Sequence, residues 1–486
     1  MLKLIDPTLF RQRCYIDGER QAAEDGTSTA IANPATGEVL GSVPHMGVNE
    51  TRRAINAAHA ALPGWRALTA AERGKHLRRW YELLLANQDD LALIMTSEQG
   101  KPLAEATAEI AYAADYLEWF AEEGRRAYGE IIPSNASDRR ILVTREPVGV
   151  CAAITPWNFP AAMIARKSGA ALAAGCTIVV KPASQTPFSA LALAELAHRA
   201  GIPRGVFNVV TGPAKPIGDE LCANPLVRKL SFTGSTATGA QLIAQCAATV
   251  KKLSMELGGN APFIVFDDAD LDAAVIGAIA SKYRNTGQTC VCANRLLIHD
   301  AVYDAFTEKL TQAVGELIVG NGTDPGVTQG PLIDAAALAK VEDLLADALA
   351  KGARVVCGGR RHALGGTFFE PTIVADVTSD MRLSREEIFG PVAALYRFKD
   401  EVEAIALAND TEFGLASYFY ARDVGRIFRV AEALEYGMVG VNTGAISTAI
   451  APFGGMKSSG LGREGSRHGL DDYLEIKTIC LAGLEC

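Results

Sequence analysis

The segment Asn285–Cys290 contains the residue best suited to nucleophilic chemistry. Its sequence, Asn-Thr-Gly-Gln-Thr-Cys, is a polar turn with one glycine, and such a turn can leave the thiol of Cys290 exposed. A cysteine attacks carbonyl carbon as its thiolate, so this position is compatible with covalent catalysis. Judged by itself, however, a cysteine in this setting is more often a structural residue.

Two other segments contain groups that could assist such a nucleophile. Met255–Asn260 places Glu256 next to two glycines, where a carboxylate could act as a general base. Thr155–Pro160 places Asn158 in a proline-rich loop at the end of a predicted strand, where the amide could donate to an oxyanion. Each segment taken alone is explained at least as well by an ordinary turn.

Two further segments follow predicted strands at positions where a ligand could bind. Val179–Ser184 ends a predicted strand, which is where sheets of this kind place ligands. Phe232–Ser235 is followed by Gly239 in the next helix, a strand–turn–helix context that suits a phosphate at a helix N-terminus. A solvated loop and a simple helix cap are the alternatives. Gly460–Gly465 has the G-x-G-x-x-G pattern but follows no clear strand and leaves no room for a βαβ unit, so we predict it to be a decoy.

The elements that must position these residues follow from hydrophobic periodicity. Apolar residues recur at helical spacing from about residue 50 to residue 125. From residue 148, short β-branched runs alternate with helical stretches, which predicts βαβ units and parallel sheets buried on both faces. Tyr473–Ile479 alternates like a half-buried strand and could extend a sheet edge, including one of another subunit. The predicted buried strands lie at 148–154, 177–180, 206–210 and 229–232, and then at 263–266, 294–298 and 392–397.

Composition limits the classes of function. With 486 residues, the chain is long enough for two or three domains, and its 49% hydrophobic and 21% charged residues are typical of a soluble globular protein. A net charge of -9 argues against a nucleic-acid partner. The N-terminus lacks a signal-peptide pattern and the uncharged stretch 147–165 contains three prolines, so we expect a cytoplasmic protein without a membrane span. The 10 cysteines and 7 histidines show no metal-ligand spacing, so we expect no metal.

Together, the motifs resemble the aldehyde dehydrogenase superfamily from about residue 25 to the end of the chain. They occur in the order and at the spacing typical of the family. The matching segments are Pro156–Pro160, Lys181–Ser184, Phe232–Ser235, Glu256–Gly259, Gly287–Cys290, Glu386–Pro391 and Pro452–Gly455.

The resemblance implies a mechanism and a cofactor site. Cys290 would attack the aldehyde, Asn158 and the Cys290 amide would stabilise the oxyanion, and Glu256 would activate water to hydrolyse the thioester. The residues predicted to bind the cofactor are Trp157, Lys181, Ser184, Gly234, Ser235, Glu387 and Phe389. In many NAD-preferring relatives a glutamate stands at the position of Ser184. A serine beside Lys181 can instead donate to a 2′-phosphate, so we predict a preference for NADP, with NAD as a possible second cofactor.

A finer resemblance concerns the substrate. Arg166, Arg284 and Ser447 look like the carboxylate clamp of the succinate-semialdehyde dehydrogenase subgroup, although each arginine alone could be an ordinary surface or ion-paired residue. The clamp predicts a small anionic aldehyde, and the residues do not separate succinic from glutaric semialdehyde, which is one methylene longer. Cys292 also matches this subgroup. It could form a reversible disulfide with Cys290, or it could simply be a small buried residue.

The resemblance also predicts the fold class and the domain organisation. The fold is α/β, with a Rossmann-type cofactor domain, an α/β catalytic domain and a small oligomerisation element. We predict a cofactor domain at 1–125 and 146–255 with a return at 456–470, a catalytic domain at 256–455, and an oligomerisation element at 126–145 and 471–486. A homo-oligomer, either a dimer or a tetramer, is expected. A cofactor-independent cysteine esterase and a catalytically silent protein on the same fold are the rival classes, and the ordered motifs disfavour both.

Overall fold

The computed structural model describes residues 2–484. Its N-terminal part, up to residue 147, begins with short strands and continues with four helices. These helices confirm the helical periodicity predicted from residue 50 to residue 125. The elements are β1 (Cys14–Ile16), β2 (Glu19–Gln21), β3 (Ser28–Ala32), β4 (Val39–Pro44), α1 (Val48–Ala67), α2 (Ala70–Ala86), α3 (Gln88–Gln99), α4 (Leu103–Glu123), β5 (Glu130–Ile132) and β6 (Arg140–Pro147).

Strands and helices alternate strictly in the next segment, as the sequence predicted. Each predicted strand is present, with ends that differ by at most two residues from the prediction. The elements are β7 (Val150–Ile154), α5 (Ala162–Ala174), β8 (Thr177–Lys181), α6 (Pro187–Arg199), β9 (Phe207–Val209), α7 (Ala214–Ala223), β10 (Val227–Thr233), α8 (Thr236–Cys246) and β11 (Lys252–Glu256).

The alternation resumes in the C-terminal half with shorter and less regular elements. They are β12 (Ala261–Val265), α9 (Leu271–Lys282), β13 (Ala293–His299), α10 (Tyr303–Gly315), α11 (Ala335–Ala350), β14 (Arg354–Cys357), β15 (Thr372–Ala375), α12 (Arg382–Arg385), β16 (Val392–Phe398), α13 (Glu401–Asn409), β17 (Ala416–Tyr420), α14 (Val424–Ala433), β18 (Met438–Val441), β19 (Gly460–Leu461), α15 (His468–Asp471) and β20 (Leu474–Leu481). Short 3₁₀ turns occur at Pro7–Leu9, Gly124–Arg126, Ala247–Thr249, Arg284–Gly287, Asp300–Val302 and Lys457–Ser459.

Two large sheets form the framework. The first has the strand order β19-β11-β10-β7-β8-β9-β1-β2, in which β11, β10, β7, β8 and β9 are parallel. The second has the order β14-β15-β16-β13-β12-β17-β18 and is parallel except for its edge strand β14. Both are α/β sheets, which confirms the predicted fold class.

Each large sheet is covered on both faces. In β8, Ile178 and Val180 pack into one hydrophobic cluster, while Val179 points into a different one. In β12, Ile264 packs into one hydrophobic cluster and its neighbour Phe263 packs into another. A strand that is buried on both sides has apolar residues at every position, because period-2 alternation is needed only where one face meets water. This is why these strands could be predicted as continuous apolar runs.

A third, smaller sheet is antiparallel. Strand β20 pairs antiparallel with β6, which pairs antiparallel with β5. The predicted C-terminal strand is therefore present, but the predicted half-burial is not seen within one chain. Only Leu474 is buried, and Ile476 is 70% exposed. Among residues 2–484, no helix is both long enough and apolar enough to span a membrane.

Candidate active site

Four strands of the first sheet end beside the residues predicted to do chemistry. Strand β7 ends at Ile154, just before the loop that contains Asn158, and β8 ends at Lys181. Strand β10 ends at Thr233, followed by Gly234 and Ser235, and β11 ends at Glu256. Because these strands are parallel and adjacent, their carboxyl ends lie along one edge, which is the usual ligand-binding edge of an α/β sheet.

Cys290 is presented by an irregular loop between α9 and β13. The loop begins with left-handed backbone at Asn285 (φ 51°) and Thr286 (φ 57°), followed by Gly287 (φ 73°). A β-carbon on Gly287 would lie 2.1 Å from the carbonyl oxygen of Gly390, so only glycine fits there. Strained backbone of this kind is often found at functional sites. The Cys290 side chain is half-buried, and its backbone N–H donates to no group in the described chain.

Asn158 lies next to this loop and is buried. Its side-chain amide nitrogen donates to the carbonyl oxygen of Gln288 at 3.0 Å. Its own carbonyl oxygen accepts from the Asn285 side chain at 3.0 Å. The primary amide of Asn158 has two N–H groups, and this bond uses one of them. The second N–H of Asn158 and the backbone N–H of Cys290 have no acceptor among residues 2–484, so each can donate to a ligand.

Glu256 is buried without a hydrogen-bond partner. Neither of its carboxylate oxygens finds a donor among residues 2–484. Burial and the nearby Glu464 carboxylate raise the pKa of Glu256 well above its ordinary value, although Arg166 and Lys167 act in the opposite direction. A buried carboxylate with free lone pairs is able to accept a proton from a water molecule.

Burial also affects the thiol of Cys290. It raises the pKa of the Cys290 thiol to about 12, with a further contribution from Glu387. The pKa of Glu387 is itself raised by burial, to about 7, although the N–H of Gly259 donates to its carboxylate at 3.2 Å. In the ligand-free protein the thiol is therefore protonated at neutral pH, and its reactivity depends on a proton acceptor.

A cavity of about 250 Å³ lies on one side of Cys290. It brings together most of the residues predicted to bind a cofactor, and the ring of Trp157 meets that of Phe389 edge-on with centroids 5.5 Å apart. A larger set lines its wall: Pro156, Trp157, Asn158, Met163, Thr233, Gly234, Ser235, Leu257, Gly258, Cys290, Ala337, Lys340, Glu387, Ile388 and Phe389.

A second cavity, also of about 250 Å³, lies on the other side of Cys290. It contains the three residues predicted as a carboxylate clamp, Arg166, Arg284 and Ser447. Cys290 lines both cavities, so one thiol faces the predicted cofactor site and the predicted substrate site. The remaining wall residues are Glu105, Ala108, Glu109, Tyr112, Phe159, Met163, Val291 and Phe453.

The two arginines of this cavity differ in their surroundings. Arg166 is buried and ion-paired with Glu464, so the alternative that it is an ion-paired residue is correct in part. One of its terminal nitrogens, Nη1, nevertheless has no hydrogen-bond partner in residues 2–484, and neither has Nε of Arg284. Buried guanidinium N–H groups without acceptors are costly, and a bound carboxylate would satisfy them.

Lys181 and Ser184 lie apart from these two cavities. Ser184 lines a third cavity of about 120 Å³, together with residues such as His45 and Pro213. The Nζ of Lys181 is 3.4 Å from the Ser184 hydroxyl, and burial lowers the pKa of Lys181 to about 8. A buried lysine next to a hydroxyl suits an anionic ligand, because a nearby negative charge would stabilise the protonated form of Lys181.

The Gly460–Gly465 segment, which the sequence analysis predicts to be a decoy, forms an edge strand and a turn in place of a βαβ unit. Gly460 and Leu461 form the edge strand β19, which pairs antiparallel with the end of β11 at Glu256. Glu464 then turns inward and pairs with both Arg166 and Lys167. No local pattern predicts this buried carboxylate, because Lys167 is separated from it by 297 residues.

Cys292 occupies a different environment from Cys290. It is buried, and its thiol donates to the carbonyl oxygen of Lys282 at 3.2 Å. Cys292 lines neither of the two cavities beside Cys290. A reversible bridge between the two cysteines stays a prediction.

The fold and the site define an α/β protein with two large sheets, in which one half-buried cysteine, Cys290, lines two cavities. A sequence model described as "Aldehyde dehydrogenase family" matches residues 21–479. The chain is 67% identical over 483 residues to a glutarate-semialdehyde dehydrogenase of Pseudomonas aeruginosa, covering 99% of this chain and 100% of the relative. It is 66% identical over 480 residues to the succinate-semialdehyde dehydrogenase (NADP+) GabD of Escherichia coli, with coverage of 99% and 100%.

A solved structure agrees with these relatives. The crystal structure of succinate-semialdehyde dehydrogenase from Burkholderia pseudomallei superposes with a TM-score of 0.98, at 65% identity and with 99% of each chain covered. The chain belongs to the aldehyde dehydrogenase family.

Proposed function

We propose that this protein oxidises succinic semialdehyde to succinate with NADP, through a thioester on Cys290. The observation that carries the proposal is the position of Cys290 between two cavities, one with aromatic and glycine-rich walls and one with two arginines. Glutaric semialdehyde is the alternative substrate. The two relatives named for these substrates are nearly equally similar, and a methylene group is typically worth only about 1–3 kcal/mol in discrimination.

Charge in the second cavity favours an anionic aldehyde. Nη1 of Arg166 and Nε of Arg284 both lack acceptors among residues 2–484. Two glutamates share this cavity, but Glu109 is already paired with Lys101 at 2.5 Å. Burial raises the pKa of Glu105, which favours its neutral form. The cavity therefore keeps positive charge for the far carboxylate of the substrate.

The proposal assigns a residue to each step of the reaction. The thiol proton of Cys290 passes to solvent water as its sulfur bonds to the aldehyde carbon. Asn158 and the Cys290 amide donate to the carbonyl oxygen, each such donor typically contributing about 3–4 kcal/mol. Bound NADP supplies the acceptor for the hydride that leaves this carbon. Glu256 then takes a proton from the water that attacks the thioester, and the acid is released with the thiol restored.

The walls of the first and third cavities fit the cofactor. Trp157 and Phe389 supply aromatic surface, and Glu387 supplies a carboxylate that could accept from ribose hydroxyls. The turn at Gly234 and Ser235 precedes the N-terminus of α8, where the helix dipole favours phosphate. Lys181 and Ser184 would hold the adenine ribose and its 2′-phosphate.

We predict that kcat/KM with NADP exceeds kcat/KM with NAD, and that Ser184→Glu reverses the order. A glutamate at 184 would face the 2′-phosphate as a like charge, whereas Lys181 and the Ser184 hydroxyl can both donate to it. The measurement is initial-rate kinetics with both cofactors at saturating aldehyde, with Ser184→Ala as the control that removes the hydroxyl without adding charge. An advantage for NAD of about tenfold in the wild type, or about 1.4 kcal/mol, would refute the assignment.

We predict that Arg284→Ala damages oxidation of succinic semialdehyde far more than oxidation of butanal. The substrate carboxylate would lose its charged partner, typically a cost of about 2–5 kcal/mol, whereas butanal has no charge to pair. The measurement is kcat/KM for both aldehydes. Arg360→Ala is the matched control, because Arg360 is 80% exposed in its side chain and pairs with Glu370 at the surface. Equal losses on the two aldehydes would remove the clamp from the proposal.

The small sheet supports a homo-oligomer, either a dimer or a tetramer. Its strands carry exposed apolar side chains, including Ile131 at 78% and Ile476 at 70%. An apolar antiparallel sheet that is uncovered on one face normally packs against another surface. In this proposal the element at 126–145 and 471–486 joins subunits, the first sheet carries the cofactor and the second carries Cys290.

A further inference from the structure

Lys101 is a buried lysine that contacts the backbone of the loop containing Asn158. Its side chain is 1% exposed, and its Nζ donates to the carbonyl oxygen of Asn158 at 2.7 Å. The same Nζ donates to Oε2 of Glu109 at 2.5 Å. It also lies 4.1 Å from the ring centroid of Phe159, the residue that follows Asn158. A buried charge is stable only when it is paired and hydrogen-bonded, and these contacts fulfil both conditions.

Glu109 fixes the other end of the same loop. Its second carboxylate oxygen, Oε1, accepts from the backbone N–H groups of Ala161 and Ala162 at 3.0 and 3.2 Å. These residues stand at the start of α5, where backbone N–H groups have no partner within the helix. Lys101 and Glu109 together therefore contact the loop before and after Phe159, with a charge-assisted bond between them.

The turn that carries Lys101 packs against the segment 322–330. The N–H of Leu103 donates to the carbonyl oxygen of Gly322 at 2.8 Å. A β-carbon on Gly322 would lie 2.4 Å from the carbonyl oxygen of Lys101, and one on Gly330 would lie 2.1 Å from that of Gly100. This backbone-to-backbone packing leaves the turn that carries Lys101 little freedom to move.

We propose that Lys101 and Glu109 form a positioning pair that aims the Asn158 amide at the oxyanion. The inference rests on the proposed function and adds two residues to it. The carbonyl oxygen of Asn158 accepts a hydrogen bond from Lys101, which fixes the backbone that carries the Asn158 side chain. One N–H of the side-chain amide donates to Gln288. Donors that stabilise an oxyanion must be fixed before the reaction, and a shift of 1 Å can cost roughly a hundredfold in rate.

The primary test is Lys101→Met, followed by single-turnover kinetics of cofactor reduction. The expected result is a loss of about tenfold to a hundredfold in the rate of hydride transfer, with little change in KM. The matched control is Lys251→Met. Lys251 is also buried and also donates to two backbone carbonyls, those of Asn224 and Val227 at 3.0 and 3.1 Å. That variant should lose stability without losing the rate of hydride transfer.

A double-mutant cycle separates positioning from a general structural effect. If Lys101 acts through Asn158, then Lys101→Met should cost less than about threefold when added to Asn158→Ala. Equal losses in the wild-type and Asn158→Ala backgrounds would overturn the proposal, and so would an Asn158→Ala variant with full activity. If Lys101→Met does not fold, the neutral pair Lys101→Met with Glu109→Gln takes its place in the cycle, because it leaves no unpaired buried charge.

The cycle is run with butanal as well as with succinic semialdehyde. Butanal lacks the far carboxylate, so its oxyanion step does not depend on Arg166 or Arg284. A protein that oxidised butanal but not succinic semialdehyde would contradict the proposed substrate and still allow the cycle to be completed. The positioning pair therefore succeeds or fails independently of the substrate assignment.

Discussion

Replacing Cys290 with alanine is expected to abolish aldehyde oxidation while the protein stays folded and still binds NADPH. Cys290 lines both large cavities and lies in the irregular loop between α9 and β13. Its sulfur is the atom that must bond to the aldehyde carbon, and without that bond no thiohemiacetal forms from which hydride can leave. The side chain is half-buried, so its truncation should cost little stability.

The measurement combines absorbance of the reduced cofactor with thermal unfolding and NADPH fluorescence. Cys292→Ala is the matched control, because Cys292 is buried and lies outside both cavities. That variant should keep most of the activity. Near-normal turnover in Cys290→Ala would contradict a thioester on Cys290. A loss of activity confined to Cys292→Ala would indicate that Cys292 is the nucleophile.

Glu256→Gln is expected to stop the reaction after its first half. The amide cannot take a proton from water, and loss of a general base typically costs about 10²–10⁴-fold in the step it serves. Attack by Cys290 and hydride transfer need no hydrolytic water, so one equivalent of NADPH per active site should still form. Rapid mixing should then show a burst followed by a slow steady state, and intact mass should show one succinyl group on Cys290.

The direction in which the rate of thioester hydrolysis changes with pH follows from the pKa of Glu256. The pKa of Glu256 is raised by burial and by Glu464, so at low pH the carboxyl group is protonated and cannot serve as a base. Hydrolysis of the thioester should therefore accelerate as the pH rises through this elevated pKa, and Glu256→Gln should lose that rise. An unchanged pH profile in the variant, or the absence of a burst, would assign the base to another residue.

Much of the framework could be predicted because its strands are buried on both faces. The runs at 177–180 and 263–266 are continuous and apolar, so no second periodicity competes with the strand interpretation. Strands β1 to β4 were not predicted. They are only three to six residues long, and most of their residues are partly exposed, so the hydrophobic pattern is weak.

The candidate site could be predicted where its residues occur in contiguous motifs, as for Glu256 and Cys290, whose catalytic roles stay predictions. The residues that support them could not be predicted. Lys101 reaches Asn158 across 57 positions, and Glu464 reaches Lys167 across 297. Neither contact leaves a local pattern, because both are formed by tertiary packing between distant segments, and Lys101, Lys167 and Glu464 look like ordinary charged residues in the sequence. The family resemblance predicted the reacting groups, whereas the contacts made by Lys101 and Glu464 became visible only in the fold.

The most direct test of the central claim is kcat/KM for succinic semialdehyde, glutaric semialdehyde and butanal, measured with NADP and then with NAD. The account predicts that both anionic aldehydes exceed butanal by roughly a hundredfold, or about 2.7 kcal/mol, with NADP ahead of NAD. The ratio of the two acids would then rank the substrate and its alternative. Equal values for all three aldehydes would contradict the assignment of Arg166, Arg284 and Ser447 to a substrate carboxylate.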